Sequence, residues 1–376
     1  MWNQALVFLQ ALLDQTGAAK FWWGNAVMII VGCVMIYLAI AKKYEPFLLV
    51  GIGFACITSN VPGSDLILEG GLFNYAYQGV QLLIIPPLIF LGVGAMTDFG
   101  PMIANPKLVI LGAGAHLGIF VALIGAKAIG FTLNEAGAIG IIGGADGPMA
   151  IFVTMKLAPH LLPQISVAAY SYMALMPLIQ PPVMKLLTTK TEREMGMPPV
   201  RKVTRLEKIV FPIIIAIIVN MFFPGVAPLI TMLMLGNLLK EVLMVDRLAR
   251  TAAGGLMNVI TITLTLAIGS TMNADTFVTF NTLLIVFLGL VAFVFGTGSG
   301  VLTAKVMNVF MKEKINPLLG SAGIASVPIA ARVSHVVANK ANPNNFLIYH
   351  AMGPNLAGVF GTAISGGILL ALLGAQ

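Results

Sequence analysis

The chain has 376 residues, of which 58% are hydrophobic and 9% are charged. Soluble globular proteins carry about 25% charged residues, so the composition excludes a chain that folds mainly in water. The formal net charge of +7 comes from short polar segments between apolar stretches rather than from one basic surface, which argues against a nucleic-acid partner. We therefore predict a polytopic membrane protein.

Nine apolar stretches approach the ~20 residues that a helix needs to cross a membrane. They lie at 24–41, 78–97, 107–130, 164–187, 209–223, 227–244, 254–270, 280–297 and 346–373. We predict an all-α membrane domain over 1–376 with nine to eleven membrane segments, because no linker separates two cores. The first thirteen residues lack the basic start of a signal peptide, and we expect an interfacial helix at 1–20.

A polar loop divides the chain near its middle, at 188–208. Seven basic residues lie between Lys185 and Lys208. Short basic loops face the cytoplasm by the positive-inside rule, so we expect this loop on the cytoplasmic side of the membrane. Such a loop is also able to dock an acidic soluble partner.

The two halves of the chain are related by a shift of 180 positions. The shift pairs identical residues at eight of the 25 positions from 139 to 163, including Pro148 with Pro328. We predict two related repeats, 45–187 and 209–376, which we expect to be inverted, each with a broken or re-entrant Gly/Pro-rich helix. Matching breaks of this kind indicate a transport site between repeats, whereas a single break is equally an ordinary helix kink.

The first break, residues 140–148, contains Asp146 between glycines and Pro148. A carboxylate at membrane depth costs about 2.5–3.5 kcal/mol even on a lenient scale, so it indicates function. A helix break also frees carbonyl oxygens, which are ligands for a monovalent cation. The alternative is that Asp146 caps the helix that starts near Pro148, and both roles are compatible.

The second break, residues 316–328, places Ser326 where the first has Asp146. Further neutral oxygen ligands for a cation are Asn316, Ser321 and, in a third polar interruption, Asn355. The alternative is that these small polar residues serve helix packing.

Three further side chains are candidates for chemistry near the breaks. Arg332 follows Pro328 by four residues and would bind a carboxylate or extend to the membrane surface. Tyr170 and Tyr172 offer hydroxyl groups for proton transfer, and the alternative for at least one is an interfacial aromatic belt.

Five motifs together resemble the beta subunit of the biotin-dependent sodium-pumping decarboxylases. They are Gly-Gly-Ala-Asp-Gly-Pro at 143–148, Ala-Tyr-Ser-Tyr-Met-Ala at 169–174, Asn-Pro-Leu-Leu-Gly-Ser-Ala-Gly at 316–323, Pro-Ile-Ala-Ala-Arg-Val at 328–333 and Gly-Pro-Asn-Leu-Ala-Gly-Val at 353–359. The resemblance covers most of the chain. The family includes oxaloacetate, methylmalonyl-CoA and glutaconyl-CoA decarboxylases.

The resemblance implies a membrane subunit of a primary Na⁺ pump. This subunit would decarboxylate carboxybiotin, which a partner carries, while consuming a proton and exporting Na⁺. The implied partners are a soluble alpha carboxyltransferase subunit, a biotin-carrier protein or domain and a small membrane gamma or delta subunit, with a homotrimer of this chain in the complex. Biotin is not expected to be attached to this chain.

The resemblance also implies roles for individual residues. Asp146 matches the essential acid that binds Na⁺, and either Asp146 or Tyr172 carries the proton. Tyr172 and Arg332 are the expected carboxybiotin residues. The expected Na⁺ ligands are Asp146, Asn316, Gly320, Ser321, Ser326 and Asn355. The family serine of the second break lies one place earlier, at Ala325 here, so the choice between Ser321 and Ser326 stays open.

A second function fits the same repeats. A secondary Na⁺/H⁺ exchanger or Na⁺-coupled solute transporter would use the same breaks and need no biotin partner. A purely scaffolding subunit would leave the acid at membrane depth unexplained. The chain has no P-loop pattern, so we do not expect ATP to drive it directly.

Overall fold

The computed structural model describes residues 16–374, and their regular elements are all helices. Of the expected interfacial helix at 1–20, residues 1–15 lie outside the described residues, and Gly17–Lys20 forms a 3₁₀ turn. The prediction of an all-helical membrane protein is confirmed.

The α-helices are numbered in chain order. They are α1 Trp23–Ala41, α2 Pro46–Ser59, α3 Leu72–Gln81, α4 Ile85–Met96, α5 Gly100–Ala104, α6 Val109–Ala115, α7 Leu117–Ile129, α8 Leu133–Gly140, α9 Gly147–Leu157, α10 Leu162–Leu187, α11 Lys190–Glu194, α12 Arg205–Phe222, α13 Ala227–Glu241, α14 Asp246–Thr251, α15 Met257–Ser270, α16 Ala274–Phe277, α17 Phe280–Phe310, α18 Leu318–Ser321, α19 Ile329–Ala341 and α20 Ile348–Leu373.

Six helical segments of the described chain are long and apolar enough to span a membrane. They are Trp23–Ala41, Pro106–Ile129, Pro159–Leu187, Leu243–Ser270, Phe280–Phe310 and Ile348–Leu373. The pair α3 and α4, bent by 75°, would make a seventh. The predicted count of nine to eleven is not confirmed. The stretch at 227–244 shows why: its helix α13 has 15 residues, about 22 Å, and the hydrocarbon core is ~30 Å thick.

The described residues form two compact units. The first contains the residues up to Ile85 together with Asn258–Leu283. In it, α1 and α2 pack backbone against backbone, because a Cβ atom at Gly32 would lie 2.6 Å from the carbonyl oxygen of Gly53. Close approach through small residues is the usual way in which membrane helices associate. The second unit contains Pro86–Met257 and the residues from Leu284 onward.

In the second unit, α8 and α9 form a hairpin that enters and leaves at the same end. At its base, Glu135 Oε1 lies 2.8 Å from His160 Nε2, and a Cβ atom at Gly137 would lie 3.1 Å from Leu157 Cδ1. The chain turns between them at residues 141–146. The first Gly/Pro-rich break is therefore the tip of a re-entrant hairpin, here called the first hairpin (133–157).

The second break has the same form. Ser321 of α18 and Ser334 of α19 face each other, with their hydroxyl oxygens 3.0 Å apart. Both ends of this second hairpin (316–341) lie against the polar loop, because Asn316 Nδ2 donates to Met195 O at 2.8 Å and Asn342 Nδ2 donates to Glu194 O at 3.3 Å.

The two hairpins enter from opposite ends of the second unit. The 26-residue helix α10, about 39 Å long, starts beside the base of the first hairpin and ends at the polar loop, where the second hairpin has its base. The tips meet between these ends, since Ala325 N donates to Gly144 O at 3.0 Å. The fold thus brings two polar breaks together far from either surface.

Candidate cation site and anion pocket

Asp146 lies at the tip of the first hairpin and is 7% exposed. Its Oδ1 accepts a hydrogen bond from Met149 N at 3.0 Å, so the helix cap expected as an alternative is present. Among the described residues Met149 is the only hydrogen-bond partner of this carboxylate, and no basic side chain forms an ion pair with it. A buried carboxylate with one neutral donor lacks the charge compensation that burial requires, which leaves it available to a cation.

A cavity of about 80 Å³ opens beside this carboxylate. Its lining residues come from α4, both tips, α10 and α20, and they are Phe90, Val93, Ala145, Asp146, Gly147, Pro148, Met173, Ala325, Val327 and Val359. A void needs about 10–15 Å³ by a comparable measure to hold one water, so this one accommodates a cation with a few waters. We call it the cation cavity.

Asn355 provides an oxygen next to the second tip. Its side chain is fully buried, and Nδ2 donates to Ala322 O at 2.9 Å and to Ile324 O at 2.7 Å. Its Oδ1 has no hydrogen-bond partner among the described residues, a loss of about 1–3 kcal/mol for a buried polar group. Val359, one turn along α20, lines the cation cavity. An unpaired amide oxygen at this place suits a cation ligand.

The two serines of the second break have different surroundings. Ser326 lies between two residues that line the cation cavity, and its hydroxyl donates to Met176 Sδ at 2.9 Å. Ser321 donates to Leu318 O at 2.7 Å and faces Ser334 across the second hairpin. The structure thus brings Ser326, rather than Ser321, to the edge of the cavity.

Asn316, another expected ligand, is fully buried at the base of the second hairpin. Its Nδ2 donates to Arg193 O and Met195 O, while its Oδ1 accepts from Leu318 N at 2.9 Å. All its polar atoms are therefore engaged, and the residue fastens the polar loop to the second hairpin.

We expect Asn316→Ala to loosen the polar loop, which Asn345 Nδ2 also holds through the same two carbonyl groups. Losing its two bonds to the loop should raise trypsin cleavage after Arg193 by about tenfold, since each bond contributes about 0.5–1.5 kcal/mol and cleavage follows the open population. Limited proteolysis of the complex measures this rate. The control is Asn339→Ala, which removes an exposed bond to Pro343 O and should leave the rate unchanged. Equal rates in both variants would contradict the fastening role.

Gly320 serves the close approach of two backbones. A Cβ atom there would lie 1.9 Å from Gly300 O on α17, and one at Gly300 would lie 2.2 Å from Gly320 O. No side chain fits at either position, so the second hairpin packs directly on α17.

Gly320→Ala should therefore destabilise the protein. Overpacking costs about 1–3 kcal/mol where the neighbour is able to shift, and the neighbour here is backbone, so a value at or above the upper end is expected. Thermal unfolding of the complex in detergent would show a lowered midpoint. Gly254→Ala is the matched control, because nothing lies within 4 Å of a Cβ atom there.

The two tyrosines on α10 face different neighbours. Tyr172 packs against Phe293 with ring centroids 5.2 Å apart, and its hydroxyl donates to Val286 O on α17. Tyr170 packs against the first tip, because a Cβ atom at Gly147 would lie 2.2 Å from its ring. Tyr170 thus contacts the residue next to Asp146, whereas the Tyr172 hydroxyl is directed at α17.

Arg332 lies in a separate pocket of about 320 Å³ between α10 and α19. The lining residues are Pro177, Pro181, Lys185, Ile329, Arg332, Val333, Val336, Val337 and Lys340. Three are cationic and none is acidic, so we call it the anion pocket. Lys185 and Lys340 lie near the ends of their helices beside the polar loop, and Arg332 is about 12 Å deeper along α19. Among the described residues the Arg332 side chain has no hydrogen bond or ion pair.

Sequence reasoning missed the places of Lys185, Lys340 and Met176 in these sites, and it assigned Lys185 to the basic loop that sets membrane orientation. Their signal is weak, since a lysine at a helix end and a methionine in an apolar helix are ordinary features of membrane proteins. Only the packing of α10 against the second hairpin brings the two lysines into one pocket and Met176 into contact with Ser326.

Together, the helices and the site define a multi-pass membrane protein with a buried acid where two re-entrant hairpins meet. Residues 24–373 match the family model of the Na⁺-transporting oxaloacetate decarboxylase beta subunit, and the chain belongs to this family. It is 54% identical over 371 residues to the glutaconyl-CoA decarboxylase subunit beta of Acidaminococcus fermentans, covering 99% of each chain.

Two other relatives carry different substrate names. The methylmalonyl-CoA decarboxylase subunit beta of Propionigenium modestum is 54% identical over 394 residues, which cover 97% of this chain and 100% of that protein. The probable oxaloacetate decarboxylase beta chain of Vibrio cholerae is 44% identical over 423 residues, which cover 96% of this chain and 98% of that protein. These three relatives thus carry three different substrate names within one family.

Proposed function

We propose that this chain is the membrane subunit of a primary Na⁺ pump that decarboxylates carboxybiotin presented by a partner subunit, consumes a proton and exports Na⁺. One observation carries the proposal: a cavity with an uncompensated carboxylate and a pocket with three cations lie one helical turn apart on α10, at Met173 and Pro177. A cation site and an anion site so close together are suited to coupling two reactions.

The anion pocket fits the carboxylated end of a biotin group. Arg332 offers a planar fork for two parallel hydrogen bonds to a carboxylate. Pro177, Pro181 and the valines of α19 give the apolar walls that small-molecule pockets use to bind ring systems. Tyr172, also expected to take part, would have to release Val286 O first, so we assign the carboxylate to Arg332.

The cation cavity fits Na⁺. Asp146 supplies the charge, and Asn355 Oδ1, Ser326 and carbonyl groups of the tips supply neutral oxygens. Moving one Na⁺ outward against 100 mV costs about 2.3 kcal/mol, so release of the ion has to be tied to decarboxylation. Protonation of Asp146 would remove the charge that holds Na⁺ and expel it. Tyr170, which contacts the first tip, and Tyr172 are the alternative carriers of the proton.

Inverted repeats are part of the proposal, and reciprocal contacts support them. A Cβ atom at Gly143 would lie 3.0 Å from Ala292 Cβ, and one at Gly323 would lie 3.0 Å from Gly112 Cα. A shift of 180 converts either pair into the other, as a two-fold axis requires. The hairpins enter from opposite ends, so we propose an axis in the membrane plane and nine to eleven segments when short and re-entrant ones are counted.

The orientation and the partners follow from the same features. We propose that the polar loop faces the cytoplasm, so that the anion pocket opens towards soluble partners: an alpha carboxyltransferase subunit and a biotin carrier. A small gamma or delta membrane subunit and a homotrimer of this chain complete the proposed complex, in a bacterial or archaeal cytoplasmic membrane.

The complex in proteoliposomes tests the function. In inside-out vesicles, carboxylated biotin carrier added to the external solution should be decarboxylated only when Na⁺ is present. The uptake of ²²Na⁺ should rise in proportion to this decarboxylation. A secondary exchanger, the alternative, would take up ²²Na⁺ in response to a proton gradient and ignore the carrier. Na⁺ uptake that is indifferent to the carrier would therefore reject the pump.

A further inference from the structure

The wall between the cation cavity and the anion pocket is thin. Along α10, Met173 lines the cavity and Pro177 lines the pocket, and residues four apart lie on the same helix face, about 6 Å apart along the axis. Along the second hairpin, Val327 lines the cavity and Ile329 lines the pocket, so that only Pro328 stands between them. One helical turn and one residue separate the two spaces.

Met176 and Ser326 meet beside this wall. Met176 lies on the same turn of α10, and its sulfur accepts the Ser326 hydroxyl at 2.9 Å. The two residues are 0% and 1% exposed. Among the described residues the Ser326 hydroxyl has no other hydrogen-bond partner, and a thioether is a weak acceptor. Methionine has three rotatable side-chain bonds. The hydrogen bond between Ser326 and Met176 is therefore weak, and the flexible Met176 side chain breaks it readily.

We propose that Met176 is the gate between the anion pocket and the cation cavity, and that Na⁺ enters the cavity from the pocket when the Met176 side chain turns away from Ser326. The inference rests on the proposed function, which needs Na⁺ to reach Asp146 from the side of the polar loop. Turning Met176 releases the hydrogen of the Ser326 hydroxyl, so this group is able to rotate and turn the lone pairs of Oγ towards the passing ion. With the gate closed, Na⁺ has no path back into the pocket.

The charges in the anion pocket give the order of events. Lys185, Arg332 and Lys340 together place three positive charges around the pocket, and these charges repel Na⁺. A bound carboxylate at Arg332 offsets part of this charge. Na⁺ therefore enters the pocket more readily when the anionic substrate is present. An open gate without substrate leaves a slower, uncoupled path for Na⁺, which is a leak.

The test uses the whole complex in proteoliposomes loaded with ²²Na⁺, without substrate. Met176→Ala removes the side chain that closes the wall, and we expect Na⁺ efflux about tenfold above wild type, the factor given by lowering a barrier by about 1.4 kcal/mol. Met184→Ala is the control, because Met184 is also fully buried on α10 but packs in the hydrophobic core, about 12 Å farther along the helix than Met176. It should lose stability without leaking.

A second pair of variants keeps the volume. Met176→Leu keeps the wall closed but is stiffer and loses the sulfur, so substrate-driven Na⁺ uptake should slow about threefold without a leak, and Met184→Leu should pump at the wild-type rate. If Met176→Ala folds and does not leak, or Met184→Ala leaks equally, the gate is rejected. If Met176→Ala does not assemble, a wild-type uptake rate in Met176→Leu rejects it.

The proposed function and the gate fail in different ways. Wild-type vesicles that show no carrier-driven Na⁺ uptake would reject the pump itself. Vesicles in which wild type pumps while the Met176 variants behave like wild type reject only the gate.

Discussion

Asp146→Asn should abolish carrier-driven Na⁺ uptake and lower Na⁺-dependent decarboxylation by at least about a hundredfold. Removing one partner of a buried charge pair costs about 3–5 kcal/mol, and each 1.4 kcal/mol is a factor of ten. Asparagine is a good helix N-cap and keeps an oxygen for Met149 N–H, so the first tip should stay folded. Decarboxylation rate against Na⁺ concentration, together with ²²Na⁺ uptake, measures the effect.

Asp98→Asn is the control for this prediction. Asp98 Oδ1 lies 2.7 Å from Lys208 Nζ, and the Asp98 side chain is 46% exposed. An exposed ion pair contributes about 0–1 kcal/mol, so this variant should pump at nearly the wild-type rate. Continued pumping by Asp146→Asn would remove Asp146 from the ion path and leave it as a helix cap only.

The second large effect is expected at Arg332. Arg332→Gln should lower the rate of carboxybiotin decarboxylation by at least about thirtyfold, because truncating one partner of a hydrogen-bonded charge pair costs about 2–5 kcal/mol. Arg332→Lys keeps the charge but loses the planar fork, so an intermediate rate is expected. The assay is CO₂ release at saturating Na⁺. The thermal midpoint should not change, because Arg332 is exposed and has no partner in the described structure.

Lys340→Gln provides the comparison within the same pocket. Lys340 lies at the rim and is exposed, so its loss should weaken carrier binding by a few fold and leave the rate at saturating carrier near the wild-type value. A Lys340 variant as slow as Arg332→Gln would move the site of the carboxylate to the rim.

The sequence contains the information that singles out Asp146, because an acid at membrane depth is costly whatever surrounds it. It also pairs Asp146 with Ser326 through the repeat. Whether each break crosses the membrane or turns back is not readable from the sequence alone, since a segment as long as 133–157 is also long enough to cross the membrane once as a helix. That decision rests on base contacts such as Glu135 with His160, which join residues 25 positions apart.

The directions of Tyr170, Tyr172 and Met176 were beyond sequence reasoning for a related reason. Helix geometry separates residues two apart onto different faces, but it does not say which face meets the first tip. Packing against Gly147 and Gly289 decides it, because Gly147 leaves space for the Tyr170 ring and Gly289 leaves space for the Tyr172 ring.

The depth of the anion pocket sets a minimum length for any tethered group that binds in it. Arg332 lies about 12 Å below the rim residue Lys340 along α19, so a group tethered to a soluble partner reaches it only on an arm of at least that length. A carrier with a shortened arm would still dock at the basic rim and would still compete with the natural carrier. Its cargo, however, would stop short of Arg332, and it would act as an inhibitor rather than as a substrate.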